Sequence, residues 1–392
     1  MPLQCLHVRG YRSLRDFKLA LGPVNIITGA NGTGKSNLYQ ALMLVARAAR
    51  GEFARGIAED GGTASMLWAG GERIRYTKKR PPKRFELAVE TELGSFSFAA
   101  GLPSPSSLPP GKSLFGGDPE VKEEKLWLLA GGKRVLMLDR RGPSTWLRNA
   151  EGRMEEYALA LLKYESVLSQ VVEPHRFPEI NILRQTILAW RFYHQFRTDA
   201  QSPMRFPQIG VQTNVLSHDG SDLAAALETI LEIGDEGALA EAIDHAFRGA
   251  CLRVDVHDTL FSIHLEVPGI LRPLNAREFS DGQLRFLCLC AALLSPRPPA
   301  LIALNEPETS LHPDLYPPLA QLIARTSRSS QVWMTTHSRF LADEVAKLAK
   351  AAPVELTLVE GETQCAGDPN SPRRPHRVLR FDDGSKSEEQ TD

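Results

Sequence analysis

The 392 residues are 42% hydrophobic and 24% charged, the proportions of an ordinary globular protein long enough for one large core or two domains. A net charge of −1 excludes a global basic field, so a nucleic-acid or membrane-surface role has to come from a local patch. Five scattered cysteines argue against a disulfide framework and suit a reducing cytosol, and no run reaches the ~18 apolar residues of a membrane helix. The opening "MPLQCLHVRGYRS" lacks the charged-then-apolar layout of an export signal, so a cytoplasmic protein with no membrane segment is expected.

Along the chain, "LQCLHVRGY" and "FKLALG" read as short strands, followed by "VNIIT" running into glycines. The glycines belong to "GANGTGKS", which fills the phosphate-loop pattern G-x-x-x-x-G-K-S between a strand, Val24 to Thr28, and a helical stripe of Leu38, Leu42, Val45 and Ala49. The pattern has a physical basis. Glycines let backbone N–H groups wrap a polyphosphate, and the helix start adds its positive end. The loop Gly29, Ala30, Asn31, Gly32, Thr33 and Gly34, with Lys35, Ser36 and Asn37, is therefore expected to hold ATP. Lys35 is expected to reach the β- and γ-phosphates and Ser36 to ligate Mg²⁺.

From Trp68 to Ala100 the pattern alternates like strands around a basic turn carrying Arg73, Arg75, Lys78, Lys79, Arg80, Lys83 and Arg84. That cluster is a candidate contact for DNA or RNA phosphates, or else a solvated loop. A Pro-, Ser- and Gly-rich surface loop follows at "GLPSPSSLPPGKSLFGGDP". Residues 153–200 read as mainly helical, as do residues 220–248, and strands return at "LRVDVHD" and "LFSIHLEV". The remainder alternates helix and strand: Gly282 to Ser295, Ala300 to Leu304, Leu315 to Arg325, Gln331 to Thr335, then Phe340 to Lys350. Cys288 and Cys290 fall two apart in the first of these helices and read as core fillers rather than metal ligands. The βα alternation near both ends implies one mostly parallel sheet closed by distant segments.

Three further signals lie in the last third. "FSDGQLRFLCLCAALL" places Ser280, Gly282 and Gln283 at a helix start. "LIALNEPETSLHP" is an apolar strand ending where an ATPase usually carries an acidic pair, one acid for magnesium and one to activate water. Here Asn305 stands in place of the first acid and Glu306 in place of the second, so Glu306 is the candidate base and Asn305 a neutral metal ligand. "QVWMTTHS" is another apolar strand, ending at His337, which is either a sensor of the γ-phosphate, the reading its place in this order favours, or an ordinary polar residue at a strand end.

Taken in this order, the motifs resemble those of ABC-type ATPases, in which Ser280, Gly282 and Gln283 would cap the γ-phosphate held by a partner subunit. With "VRGYRSLRDFKLAL" leading into the phosphate loop, the chain resembles the RecF/SMC/OLD-like branch. "LNEPETSLHPDLYPPLAQLI" and "WRFYHQFRTDA" make it similar to bacterial predicted AAA family ATPases. The resemblance covers about residues 1 to 350. It implies an α/β, ABC-type P-loop nucleotide-binding domain with a β lobe and a helical insert. The expected parts are residues 1–100, the N-terminal ATPase half and β lobe; 101–250, a loop and mainly helical insert; 251–360, the C-terminal ATPase half; and 361–392, a polar tail.

The resemblance further implies an ATPase that dimerises head to tail with ATP and Mg²⁺, in DNA repair, chromosome maintenance or defence against phage. DNA, RNA, a nuclease or another effector protein would be its partner. A non-catalytic ATP-dependent scaffold is the alternative; a transporter motor is disfavoured by the long insert. His312 stands where transporter-type members carry an Asp. "LTLVEGET" resembles the opening of a Toprim domain, but too little sequence follows Glu360 for the ~100 residues of a common domain, so a final strand of the sheet is expected there.

Overall fold

Two sheets set the geometry of the phosphate loop. The computed structural model describes residues 2–68, 84–103 and 114–366. The basic stretch therefore lies outside the described residues except for Arg84. Arg84 itself pairs with Glu123 at 2.7 Å.

The chain begins with β1 (Leu3–Tyr11) and β2 (Leu14–Ala20), an antiparallel hairpin, and passes into β3 (Val24–Gly29), α1 (Lys35–Arg50) and two short helices, α2 (Phe53–Glu59) and α3 (Thr63–Met66). An antiparallel meander follows: β4 (Arg84–Thr91), β5 (Gly94–Gly101), β6 (Glu120–Ala130), β7 (Lys133–Arg141), β8 (Ser144–Arg148) and β9 (Met154–Glu156). These strands join the hairpin in one eight-stranded sheet, ordered β2-β1-β4-β5-β6-β7-β8-β9.

This corrects two expectations. Residue 100 is no boundary, because β5 and β6 on either side of it pair in register from Gly94↔Leu128 to Gly101↔Glu120. The segment 101–250 is not mainly helical, since its first part extends the β lobe to residue 156. Between residues 153 and 200 the helices are only α4 (Val167–Gln170) and α5 (Pro178–Leu188). The local cause is a two-residue turn. Gly131 and Gly132 both hold positive φ, 56° and 76°, which matches the twist of a tight hairpin and folds β7 back on β6.

The second sheet is the parallel one. After α5 come β10 (Arg191–Tyr193), β11 (Gln208–Ile209), α6 (Leu223–Ile233), α7 (Glu236–Phe247) and the strands β12 (Cys251–His257), β13 (Leu260–Glu266) and β14 (Leu274–Asn275). The chain ends as α8 (Asp281–Leu293), β15 (Leu301–Asn305), α9 (Tyr316–Thr326), β16 (Gln331–Thr335), α10 (Arg339–Ala349), β17 (Val354–Val359) and β18 (Glu362–Cys365). The sheet order is β10-β15-β16-β3-β17-β18, parallel except for the last pair. Distant segments thus close one sheet around β3.

Both faces of this sheet are covered, as parallel sheets require. The strand alternation sends Ile27, Leu301, Ala303 and Trp333 into a core with α1 and the β lobe. It sends Ile26, Ile302, Leu304, Val332 and Met334 into a second core with α6 to α10. Leu38, Leu42 and Val45 anchor α1 in the first core, each contributing about 1.5–3 kcal/mol of burial. Cys288 and Cys290 are fully buried in the second. Among the described residues no helix is long and apolar enough to cross a membrane.

Candidate functional site

The phosphate loop runs from the end of β3 to the first turn of α1. Gly34, the N-cap, holds φ 102°, and a Cβ there would lie 2.1 Å from Thr363 Oγ1. No other residue type fits this position. The first turn of α1 carries no acidic side chain, while Arg47 and Arg50 occupy its last turn. The positive end of the helix is therefore left for an external anion. Asn31, Gly32 and Ser36 are exposed along the same loop.

Lys35 is buried and folds back over the loop. Its Nζ donates to the carbonyls of Gly29 at 2.8 Å and Ala30 at 3.0 Å. Burial lowers its pKa from the ordinary lysine value, and the carboxylates of Glu306 and Glu308 oppose that shift. Nζ also stands 3.4 Å from His337 Nδ1, and His337 Nε2 stands 2.9 Å from Glu306 Oε1. The ends of β3, β15 and β16 thus bring the three residues expected for catalysis into one continuous chain. A cavity of about 510 Å³ opens beside them, lined in part by Gly29, Ala30, His337 and Arg339.

Asn305 ends β15 buried, and its Oδ1 accepts a hydrogen bond from Thr335 Oγ1 at 2.8 Å. Glu306, next to it, holds φ 48°, a left-handed backbone rare outside glycine. Its N–H donates to the Thr335 carbonyl at 2.9 Å, which holds the turn against β16.

Ser280, Gly282 and Gln283 lie elsewhere. Ser280 Oγ accepts from the Gln283 N–H at 3.2 Å and Gln283 Oε1 accepts from the Ser280 N–H at 2.8 Å, a reciprocal capping box at the start of α8. The Gln283 side chain is thereby committed to the helix end. Among the described residues no hydrogen bond joins this turn to residues 29–37 of the same chain. His312 is exposed and caps the short turn before α9.

Four side chains organise the site without having been singled out in the sequence. Glu308 Oε1 accepts from Thr336 Oγ1 at 2.6 Å and from the His337 N–H at 2.8 Å, fixing the His337 backbone. Arg285 on α8 donates to the Glu306 carbonyl at 2.9 Å. Arg205 donates to the Phe279 carbonyl and to Asp281 Oδ1, each at 2.7 Å, and so sets the approach to Ser280. Thr363 on β18 donates to the Thr33 carbonyl at 2.8 Å and locks the phosphate loop from the opposite end of the chain. A lone Arg in the apolar run of α8 was the one local sign of these contacts.

Residues 163–343 match a sequence family described as "AAA domain, putative AbiEii toxin, Type IV TA system", and residues 5–55 match a second described as "AAA domain". Both matched families are AAA domains. Its fold is that of an ABC-type head. An SMC head solved with the C-terminal winged-helix domain of ScpA superposes with a TM-score of 0.53 at 13% identity, over 93% of this chain and 97% of that one. A Pyrococcus furiosus SMC head with an extended coiled coil, bound to the C-terminal domain of ScpA, gives 0.50 at 13% identity, over 93% and 95%. A Pyrococcus yayanosii SMC head with a coiled coil and joint gives 0.50 at 10% identity, over 93% and 96%. The two AAA-domain matches and the SMC-head fold are what the chain shares with ATP-binding, ABC-type ATPases.

The loop glycines, the exposed start of α1 and the inward Lys35 fit a nucleotide. Among the described residues no three His, Cys, Asp or Glu side chains are grouped to hold a metal ion by themselves. A Mg²⁺ shared with substrate phosphates needs only one or two protein ligands, and Ser36 with Asn305 would be the pair to hold it here.

Proposed function

We propose that the chain is a Mg²⁺-dependent ATPase whose ATP-bound form is a head-to-tail homodimer, with hydrolysis reopening it. The observation that carries the reading is the run Lys35–His337–Glu306 across three strand ends beside the phosphate loop. Lys35 leaves the Gly29 and Ala30 carbonyls for the phosphates of ATP. Glu306 orients the attacking water and accepts its proton, and His337 holds the Glu306 carboxylate in place from the next strand end. Mg²⁺, held by Ser36 and Asn305, supplies charge neutralisation on the phosphates when bound. Ser280 and Gly282 of one subunit close over the nucleotide of the other; among the described residues no hydrogen bond joins them to residues 29–37 of their own chain. Turnover is slow, because Asn305 is neutral.

The test is phosphate release under saturating ATP together with a trap. Glu306→Gln should keep ATP binding, stop turnover and accumulate a dimer by light scattering. A monomer under those conditions would count against the sandwich. The work of the cycle, on this reading, acts on nucleic acid or on a nuclease or other effector protein, in repair, chromosome maintenance or phage defence. Replacing Lys78, Lys79 and Arg80 with Glu should weaken nucleic-acid binding and flatten its salt dependence. A protein that binds no DNA or RNA at low salt, with or without ATP, would move the reading to a protein effector. The second reading, an ATP-dependent switch without hydrolysis, draws on the neutral Asn305, whose oxygen is already engaged by Thr335.

A further inference from the structure

Residues 306–310 turn the chain from β15 toward α9, and two of them, Glu306 (φ 48°) and Ser310 (φ 63°), hold left-handed backbone. Such backbone is costly outside glycine and persists only where its surroundings fix it. Both lean on the same helix. Arg285, buried on α8, donates from Nη2 to the Glu306 carbonyl at 2.9 Å and from Nε to the Pro307 carbonyl at 3.4 Å. Gly282, nearly one turn earlier, lies against the Ser310 carbonyl so closely that a Cβ would come within 2.9 Å of that oxygen.

The start of α8 is itself a fixed piece. Its capping box closes Ser280 on Gln283, and Arg205 grips the Ala276, Arg277 and Phe279 carbonyls together with Asp281. A push on Ser280 therefore moves the first turns of α8 as a unit, and the strained turn is tied to that unit at both ends. The side chain of Glu306 points the other way, to His337.

We infer that Arg285 is a positioning residue that couples the start of α8 to the Glu306 backbone of the same chain. What seats on Ser280 thereby sets the carboxylate over that chain's own phosphate loop. The inference rests on the head-to-tail reading for what seats on Ser280, namely the polyphosphate held by the partner. Each subunit then senses its partner's nucleotide with Ser280 and adjusts its own Glu306 through Arg285, and the two sites of the dimer are linked.

Two measurements test it. Arg285→Gln should leave ATP affinity unchanged and lower kcat about 10- to 100-fold, the loss of a charge-assisted bond to the turn. Arg285→Lys, which keeps the charge and one donor, should recover part of it and replaces the Gln variant if that one fails to fold. Mixed dimers then assign the direction. An R285Q chain paired with an E306Q chain should be inactive, whereas a chain carrying both changes paired with the parent should keep about half the parental rate. The reverse pattern would place Arg285 with the partner's nucleotide and overturn the inference.

Hydrogen exchange gives a readout independent of hydrolysis. Exchange across residues 301–312 should accelerate in the variant, with residues 24–36 unchanged. Unchanged exchange at 301–312, or equal acceleration in both segments, would overturn the coupling. A parent that releases no phosphate would overturn the ATPase reading instead, and the exchange result would still decide the coupling.

Discussion

Thr335 Oγ1 donates to Asn305 Oδ1 at 2.8 Å, so the one side-chain acceptor at the end of β15 is held by the neighbouring strand. An aspartate in the same place would accept that bond with either oxygen and keep the other for a metal-bound water. It would also restore a negative charge beside the phosphate loop. A neutral acceptor is roughly half as strong as a charged one, a difference of about 1–2 kcal/mol. Asn305→Asp should therefore lower the Mg²⁺ concentration for half-maximal hydrolysis by about 5- to 30-fold. Phosphate release titrated with Mg²⁺ checks this. If neither protein hydrolyses ATP at millimolar Mg²⁺, with or without nucleic acid, the switch reading replaces the ATPase.

Lys35 gives a pH test. Burial lowers its pKa, with Glu306 and Glu308 partly opposing the shift, so the free protein loses this charge below the ordinary lysine pKa of about 10.4. Bound polyphosphate favours the charged form, so Lys35 takes up a proton from solution on binding when it starts neutral. ATP affinity should then weaken as pH rises through the lowered pKa, earlier than for an exposed lysine. Calorimetry in buffers of different ionisation heat should show proton uptake in that window, and Lys35→Ala should abolish both the uptake and tight binding. Uptake that survives Lys35→Ala would assign it to another group.

A second buried charge serves the scaffold. Arg140 donates to Glu124 at 2.9 Å with both side chains sealed from solvent, and also to the Glu165 and Leu162 carbonyls. Glu124 in turn accepts from Ser166 and the Val167 N–H. The pair staples residues 162–167, and α4 after them, to the β lobe. Burial pushes the Glu124 carboxyl up, and Arg140 is the largest influence holding it down. Arg140→Met should cost about 3–5 kcal/mol, because it leaves a buried carboxylate without its cation. With the folded pKa raised further, the loss should be greater at neutral pH than below the ordinary carboxylate range. Thermal unfolding at both pH values checks this; an equal loss at both would show that packing, not charge, is what Arg140 supplies.

The phosphate loop was legible because it is local: one run of residues carries strand, glycines, lysine and helix start. The last third was legible for a related reason, since β15, α9, β16 and α10 follow one another with clear periodicity and fall within a residue or two of expectation. The β lobe beyond residue 120 was not. Charged residues such as Glu123, Glu124 and Lys125 break the apolar alternation of β6, and Glu124 is buried where Arg140, opposite it on β7, and Ser166 meet it. The same limit hid the supports of the site. Arg285 reaches 21 residues to Glu306, Arg205 reaches 74 to Phe279, and Thr363 reaches 330 to Thr33. No periodicity encodes contacts made by the closure of a sheet from its two ends.

That closure yields the last prediction. Thr363 Oγ1 donates to the Thr33 carbonyl at 2.8 Å, which commits its proton, so Ser13 Oγ must donate to Thr363 at 2.7 Å. Asn37 Nδ2 in turn donates to Ser13 Oγ at 2.7 Å. The result is a directed run from α1 through the β1–β2 turn and β18 back to the phosphate loop. Thr363 is 2% exposed, so water cannot replace a lost partner. Thr363→Val keeps the shape and removes the hydroxyl, stranding the Thr33 carbonyl and the Ser13 proton at a cost of about 1–3 kcal/mol. Because both groups brace the loop, part of that cost should appear as weaker ATP binding, about 3- to 10-fold. Thr363→Ser, which keeps the hydroxyl, should bind ATP like the parent. Calorimetry alongside thermal unfolding separates the outcomes: a Val variant that melts earlier yet binds ATP with parental affinity would reduce β18 to closing the sheet edge.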